Sequence, residues 1–338
     1  SDTLSLCKAG KIPISNYLEV LQMYRSESNG AVWQELGKSL TTMRQLLIDI
    51  PTPEHITFNI PSYYECFEPI AKELVAASLE QLGYVGNDTE DHLQETMRGI
   101  VVNLATRFCP DIKLAVNMIK TNTIPNAHRT SVYKMGLVSQ QGHAIFEQLH
   151  TAFYAEPNNA KQIEILMAIG FIRSLKLKRQ VLEWAISGDI RVQDFFYPIG
   201  SVATSNLEGQ QLAWAFFTSN FCKIHNMLHM ASSSLMSTTL TLVCNNFNTH
   251  EQADMVLEFA KTHKKELSNC WRTVEILVER IKGNASFIDR LPPINIAAPL
   301  SIPTNHMRNA GHPVSIKTQL VGVATTMAVI IGYLLMTS

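Results

Sequence analysis

Leu93-Gln94-Glu95-Thr96-Met97-Arg98-Gly99-Ile100-Val101-Val102-Asn103-Leu104 carries its bulky apolar side chains at Leu93, Met97, Ile100, Val101 and Leu104. Steps of 4, 3, 1 and 3 residues put them on one face of a 3.6-residue helix. Phe108 extends the stripe by a turn, and Asp88 to Asp91 supplies the acidic first turn that the helix dipole favours. Leu267, Trp271, Val274, Leu277, Val278 and Ile281 repeat the pattern. Gly283 then reads as the residue that ends that helix, as Gly83 does after Leu82 and Gly188 after Ile186.

Working outward, the same period runs from Asn16 to about Asp289. Short connections break it at Asn29-Gly30, Pro51-Thr52-Pro53, Gly86-Asn87-Asp88, Pro157-Asn158-Asn159 and Gly188-Asp189. No apolar/polar alternation bounded by hairpin turns occurs, so no strand is expected. The expectation is an all-α domain over residues 1–289, more than a dozen helices stacked as antiparallel hairpins in an α-solenoid of the HEAT/armadillo kind. Ankyrin, tetratricopeptide and WD repeats leave no signature.

The 338 residues are 46% apolar and 17% charged, with a net charge of −1. A large core can be buried, and the near-neutral balance disfavours a nucleic-acid binder. The start at Ser1 has no initiator Met and no signal peptide, so it reads as a chain cut from something longer. Cys7, Cys66, Cys109, Cys222, Cys244 and Cys270 are dispersed without a CxxC. They read as thiols buried on helix faces, with a disulfide or two left open if the chain is extracellular.

Composition changes near Arg290. Residues 290–317 hold Pro292, Pro293, Pro299, Pro303 and Pro313 without helical period and read as an extended stalk. Residues 318–338 form a hydrophobic tail, uncharged over the 17 residues from Leu320 to Met336. The favoured reading is a lipid-anchor signal: small residues Asn309, Ala310 and Gly311 at the attachment site, a polar spacer from His312 to Gln319, then the apolar run. The alternatives are a spanning tail, for which the run is just long enough, and a buried helix. Either membrane reading places the chain at the cell surface or in the secretory pathway, or on the cytoplasmic face if the tail is an anchor of that kind. Asn87-Asp-Thr and Asn284-Ala-Ser are glycosylation sequons, and Asn87 and Asn284 the candidate acceptors.

Chemistry-bearing motifs are missing. A zinc peptidase needs HExxH, because two His one turn apart hold the metal while the Glu activates water. Here His250-Glu251 is followed by Asp254 rather than a second His, and it reads as the start of a helix after Asn248-Thr249. Cys222, His225 and His229 share a helix face but lack a catalytic Glu and a further ligand, so they read as packed or solvated surface. No GxSxG, P-loop or GxGxxG occurs. No catalytic and no metal-ligating residue is assigned. Lys264-Lys265 and Lys176-Leu177-Lys178-Arg179 read as solvated helix ends, with a peptide carboxylate or a partner contact as the lesser reading. Trp33, Trp184, Trp214 and Trp271 take core positions.

Several stretches, in order, resemble the C-terminal helical domain of zinc aminopeptidases, the family of aminopeptidase N, puromycin-sensitive aminopeptidase and the endoplasmic-reticulum aminopeptidases. They are Leu4-Ser-Leu-Cys-Lys-Ala-Gly10 with Tyr17-Leu-Glu-Val-Leu21, Ala31-Val-Trp33, and Arg129-Thr-Ser-Val-Tyr133-Lys-Met-Gly136. Ile190-Arg-Val-Gln-Asp194, Gly209-Gln-Gln-Leu-Ala-Trp214-Ala-Phe216, Ser233 through Phe247, Phe259 and Thr273-Val-Glu-Ile276 follow. The resemblance covers roughly residues 4–289. It implies a helical solenoid that forms lid and wall over the active-site chamber of a preceding catalytic domain, with peptide substrates as partners. Zinc would belong to that domain, since this chain has neither HExxH nor the family's Gly-x-Met-x-Asn loop. Taken alone the chain is expected to be inactive. A stand-alone helical scaffold for a peptide or protein partner is the second reading, and an enzyme with an unrecognised site the third.

Overall fold

The computed structural model describes residues 2–48, 50, 62–86, 91–228 and 233–292, and they form an all-helical array with no strand among them. In chain order the helices are α1 (Asp2–Lys8), α2 (Ile14–Gln22), α3 (Gly30–Leu47), α4 (Tyr63–Leu82), α5 (His92–Phe108), α6 (Ile112–Thr121), α7 (Arg129–Leu137) and α8 (Gly142–Ala155). They continue with α9 (Asn159–Ile169), α10 (Leu175–Ala185), α11 (Phe196–Ala203), α12 (Leu207–Ser219), α13 (Phe221–Leu228), α14 (Ser233–Val243), α15 (His250–Thr262) and α16 (Trp271–Asp289).

Local chemistry sets the helix starts. Asp91 accepts from the Gln94 amide at 2.7 Å, satisfying a donor that the first turn of α5 would otherwise leave unpaired. Ser62 with Glu65, and Thr249 with Gln252, close reciprocal capping boxes at α4 and α15. Gly83, at φ +64°, ends α4 as expected. Gly283 does not end α16, which runs on to Asp289. The reason is packing, since Phe287, one turn beyond the expected stop, is buried among residues of α1 to α5. Leu93 departs from the stripe on which the fold was read: it is 53% exposed at the first turn of α5, whereas Met97, Val101 and Leu104 are buried.

The helices form two layers. In the first, α3 packs on α5, α5 on α7, α7 on α9, α9 on α11, α11 on α14, α14 on α16, and α16 again on α3. The intervening helices cover this circuit, with α4 on α5, α6 on α7, α8 and α10 on α9 and α11, and α15 on α16. Burial follows the layers. One apolar cluster runs from α6 to α16, and a second joins α1 to α5 around Trp33, Phe67 and Leu40.

Trp33, Trp184 and Trp214 are buried, while Trp271 is half-buried beneath the Lys264 ammonium at 5.7 Å. Cys7, Cys244 and Cys270 are buried, Cys66 and Cys109 half-buried, and Cys222 exposed. No helix among the described residues is long and apolar enough to cross a membrane. The stalk beyond Pro292, the hydrophobic tail, Asn87, His229, and Asn309, Ala310 and Gly311 lie outside the described residues.

Candidate functional site

The face of α3 and α5 turned away from α4 holds a groove. A Cβ added at Gly30 would meet the Leu93 carbonyl at 2.5 Å, and one at Gly37 would meet Ile100 at 2.8 Å. The two helices therefore run parallel in register and touch along the glycines of α3. Above this contact Thr41, Thr42, Thr96 and Asn103 line a groove of about 590 Å³, floored by Gly37, Ile100 and Leu104. Its residues offer three hydroxyls and the two carboxamides of Gln34 and Asn103, and Lys38 is the charged one.

Both helix faces continue into cations. Arg44 lies two turns beyond Gly37, and Arg107 two turns beyond Ile100. Lys134, in the last turn of α7, carries the row onward, with its ammonium 4.8 Å from the centre of the Phe171 ring. All three side chains are half-buried. Among the described residues none has a carboxylate at ion-pair distance. Their electrostatics follow from this. Burial, and then the neighbouring Arg44, lowers the Arg107 guanidinium to about 10. Burial, and then Arg107, lowers the Lys134 ammonium to about 8. Burial pushes the Tyr64 phenol up, against the pull of Arg44. Such a row is a poor place for a proton and a good one for an anion. By contrast, Arg129 on the same helix as Lys134 is neutralised by Glu164 of α9 at 3.1 Å.

The residues singled out from sequence lie elsewhere. Asn284 is buried in α16, accepting from Lys8 Nζ at 2.9 Å and donating to Asn248 at 3.0 Å. Lys176 and Arg179 are exposed as expected, but Lys178 is not. It is buried, and donates to the Gly170 carbonyl at 2.8 Å and to the Ser205 hydroxyl. His225 lies beside Phe221, the ring centres 6.0 Å apart and the planes tilted by 36°. Among the described residues no three His, Cys, Asp or Glu side chains come together.

Sequence reading did not find Arg44, Arg107 and Lys134. The trace of Arg44 and Arg107 lay in spacing, since each falls on the helix face already marked by a small or apolar residue seven positions earlier. Lys134 stood inside the quoted segment Arg129 to Gly136 without a role.

The family described as the ERAP1-like C-terminal domain matches residues 1–283. "Aminopeptidase M1-B" of Oryza sativa subsp. japonica is 23% identical over 301 residues, covering 86% of this chain and 33% of that protein. "Alanine/arginine aminopeptidase" of Saccharomyces cerevisiae is 19% identical over 306 residues, again 86% and 33%. "Thyrotropin-releasing hormone-degrading ectoenzyme" of Rattus norvegicus is 23% identical over 306 residues, 86% of this chain and 27% of the relative. The chain spans about a third of the length of the curated relatives it matches. With a helical array over the described residues and a family match from its first residue to the middle of α16, the chain belongs to the ERAP1-like C-terminal domain family.

Proposed function

We propose that this chain is the C-terminal part of a membrane-associated zinc metallo-aminopeptidase, a solenoid lid over the active-site chamber that holds the distal end of peptide substrates. The reading is supported by the cation row of Arg44, Arg107 and Lys134, half-buried and, among the described residues, without a carboxylate at ion-pair distance, Glu68 being held by the Tyr64 hydroxyl at 2.9 Å. A substrate cut from its amino end presents a free carboxylate at the other end, and that anion is what the row lacks. The groove between α3 and α5 gives the preceding residues hydroxyls and carboxamides for main-chain hydrogen bonds. Zinc belongs to the catalytic partner in this reading. The uncharged run from Leu320 to Met336 supports membrane attachment, by a lipid at Asn309 to Gly311 in preference to a spanning tail.

Paired nonapeptides ending in carboxylate or carboxamide, titrated against the chain by fluorescence anisotropy, test it. The acid binds about tenfold tighter or more, the worth of one charge-assisted bond. Lys134→Met and Arg107→Met each shrink that ratio, as does added salt. Equal affinity for acid and amide, or a ratio untouched by both variants, overturns the reading.

A further inference from the structure

Where the circuit of helices closes, the last turn of α3, the first turn of α12, the α14–α15 connection and the last turn of α16 surround a cleft of about 270 Å³. Its walls are apolar at Leu46, Ile50, Ala285 and Ile288. Into it reaches Gln210, 2% exposed, whose Nε2 is buried without a hydrogen-bond partner among the described residues. Such a group is costly, because it gives up its water and receives nothing in return. Of the other amides at the cleft, Asn248 donates to the Gln45 carbonyl at 2.6 Å and accepts from Asn284, and the Gln252 side-chain carbonyl accepts from the Asn248 and Thr249 backbone amides.

We infer that this cleft is a subsite for an aliphatic side chain of a bound peptide, with the Gln210 carboxamide paired to a main-chain amide group beside it. The volume lies below the roughly 300–1,000 Å³ of drug-sized sites and suits one residue with its flanking peptide groups. A carboxamide donates and accepts, and half a turn about its last torsion presents either atom, which matches a peptide group and no simple ion. Arg44 and Leu46 are two positions apart in the last turn of α3 and so face different sides of it, which sets the cleft round the helix from the cation row. Gln210 is thus a binding residue for a separate stretch of peptide. The inference rests on the peptide-binding reading, yet it is separable from it.

The probe is N-acetyl-leucinamide, which has the side chain and both amide groups but no carboxylate. Saturation-transfer NMR on the full chain shows transfer to its methyl groups, and N-acetyl-glycinamide shows none. Gln210→Leu weakens leucinamide binding by about five- to tenfold, the loss of a net hydrogen bond. It also raises Tm or leaves it unchanged, because the buried unpaired amide is gone. Leu207→Trp, at a rim residue 41% exposed, blocks the entrance without touching the core and abolishes transfer. Lys134→Met leaves the leucinamide signal intact. No transfer in the wild-type chain, or transfer unchanged in both cleft variants, overturns the subsite. So does a fall in Tm for Gln210→Leu with unchanged binding, which marks the amide as structural. Loss of the carboxylate preference with leucinamide binding retained strikes the proposed function and spares the cleft.

Discussion

Lys178 donates to the carbonyl that closes α9 and to the hydroxyl of Ser205, from a position 1% exposed. Burial lowers its pKa to about 8, against a weak opposing pull from Glu208. The sign of the pH effect follows. Below pH 8 folded and unfolded chains both carry the proton, and the cost of the buried charge is present in full. Between about 8 and the unfolded value near 10.4 the folded chain releases it first, the unfolded state binds more protons, and stability rises with pH. Buried thiols act oppositely over the same range, since burial pushes Cys244 up to about 12. Comparison with Lys178→Met cancels the thiols. Whatever the offset at pH 7, the stability difference moves in favour of the wild type by up to about 2 kcal/mol by pH 9.5, read from urea melts at both values. A constant difference would mean that the ammonium is not desolvated. The sequence did hold a trace of this residue. Lys178, Val181, Leu182 and Ala185 are spaced as one helix face, and that face is buried. Charge type, weighed alone, hid it among the solvated lysines.

At the level of elements, glycines divide by what surrounds them. Gly283 sits inside α16 with nothing within 4 Å of where a Cβ would stand. Gly283→Ala therefore stabilises by about 0.5–1 kcal/mol, through the lower entropy of the unfolded chain and the better helix former. Gly170 closes α9 against α11, and a Cβ there would lie 2.3 Å from the Val202 amide nitrogen. Backbone cannot yield as a side-chain tip does, so Gly170→Ala costs about 2 kcal/mol or more. Thermal melts of the two variants should shift in opposite directions, and a loss at Gly283 would refute the account of α16 as a continuous helix. Helix existence was legible because amphipathic stripes and cap residues are local signals, as at Asp91 and Thr249. The end of α16 was not, because a glycine that stops an isolated helix is overridden when Phe287 beyond it finds a core.

At the scale of the whole described domain, closure is the feature that no local pattern carries. Periodicity says which face of a helix is apolar, not which distant helix that face meets. The polar seam joins residues 203 to 282 apart: Asn248 to the Gln45 carbonyl, Lys8 to Asn284, and Arg290 to the Lys8 carbonyl at 2.7 Å. The cation row belongs to the same scale, since Arg44, Arg107 and Lys134 meet only because α3, α5 and α7 stand side by side. Phe287 tests whether the closure is energetic. It lies on the last helix but packs with the first ones, buried among Leu4, Cys7 and their neighbours. Phe287→Ala costs about 3–5 kcal/mol if that packing is as dense as a core. Hydrogen exchange then locates the loss. Amides of α1 to α3 should become less protected together with those of α16, while α7 to α11, in the other apolar cluster, keep their protection. Faster exchange confined to α16 would mean that the two ends touch without stabilising one another, and the circuit would then be an open array whose ends happen to meet.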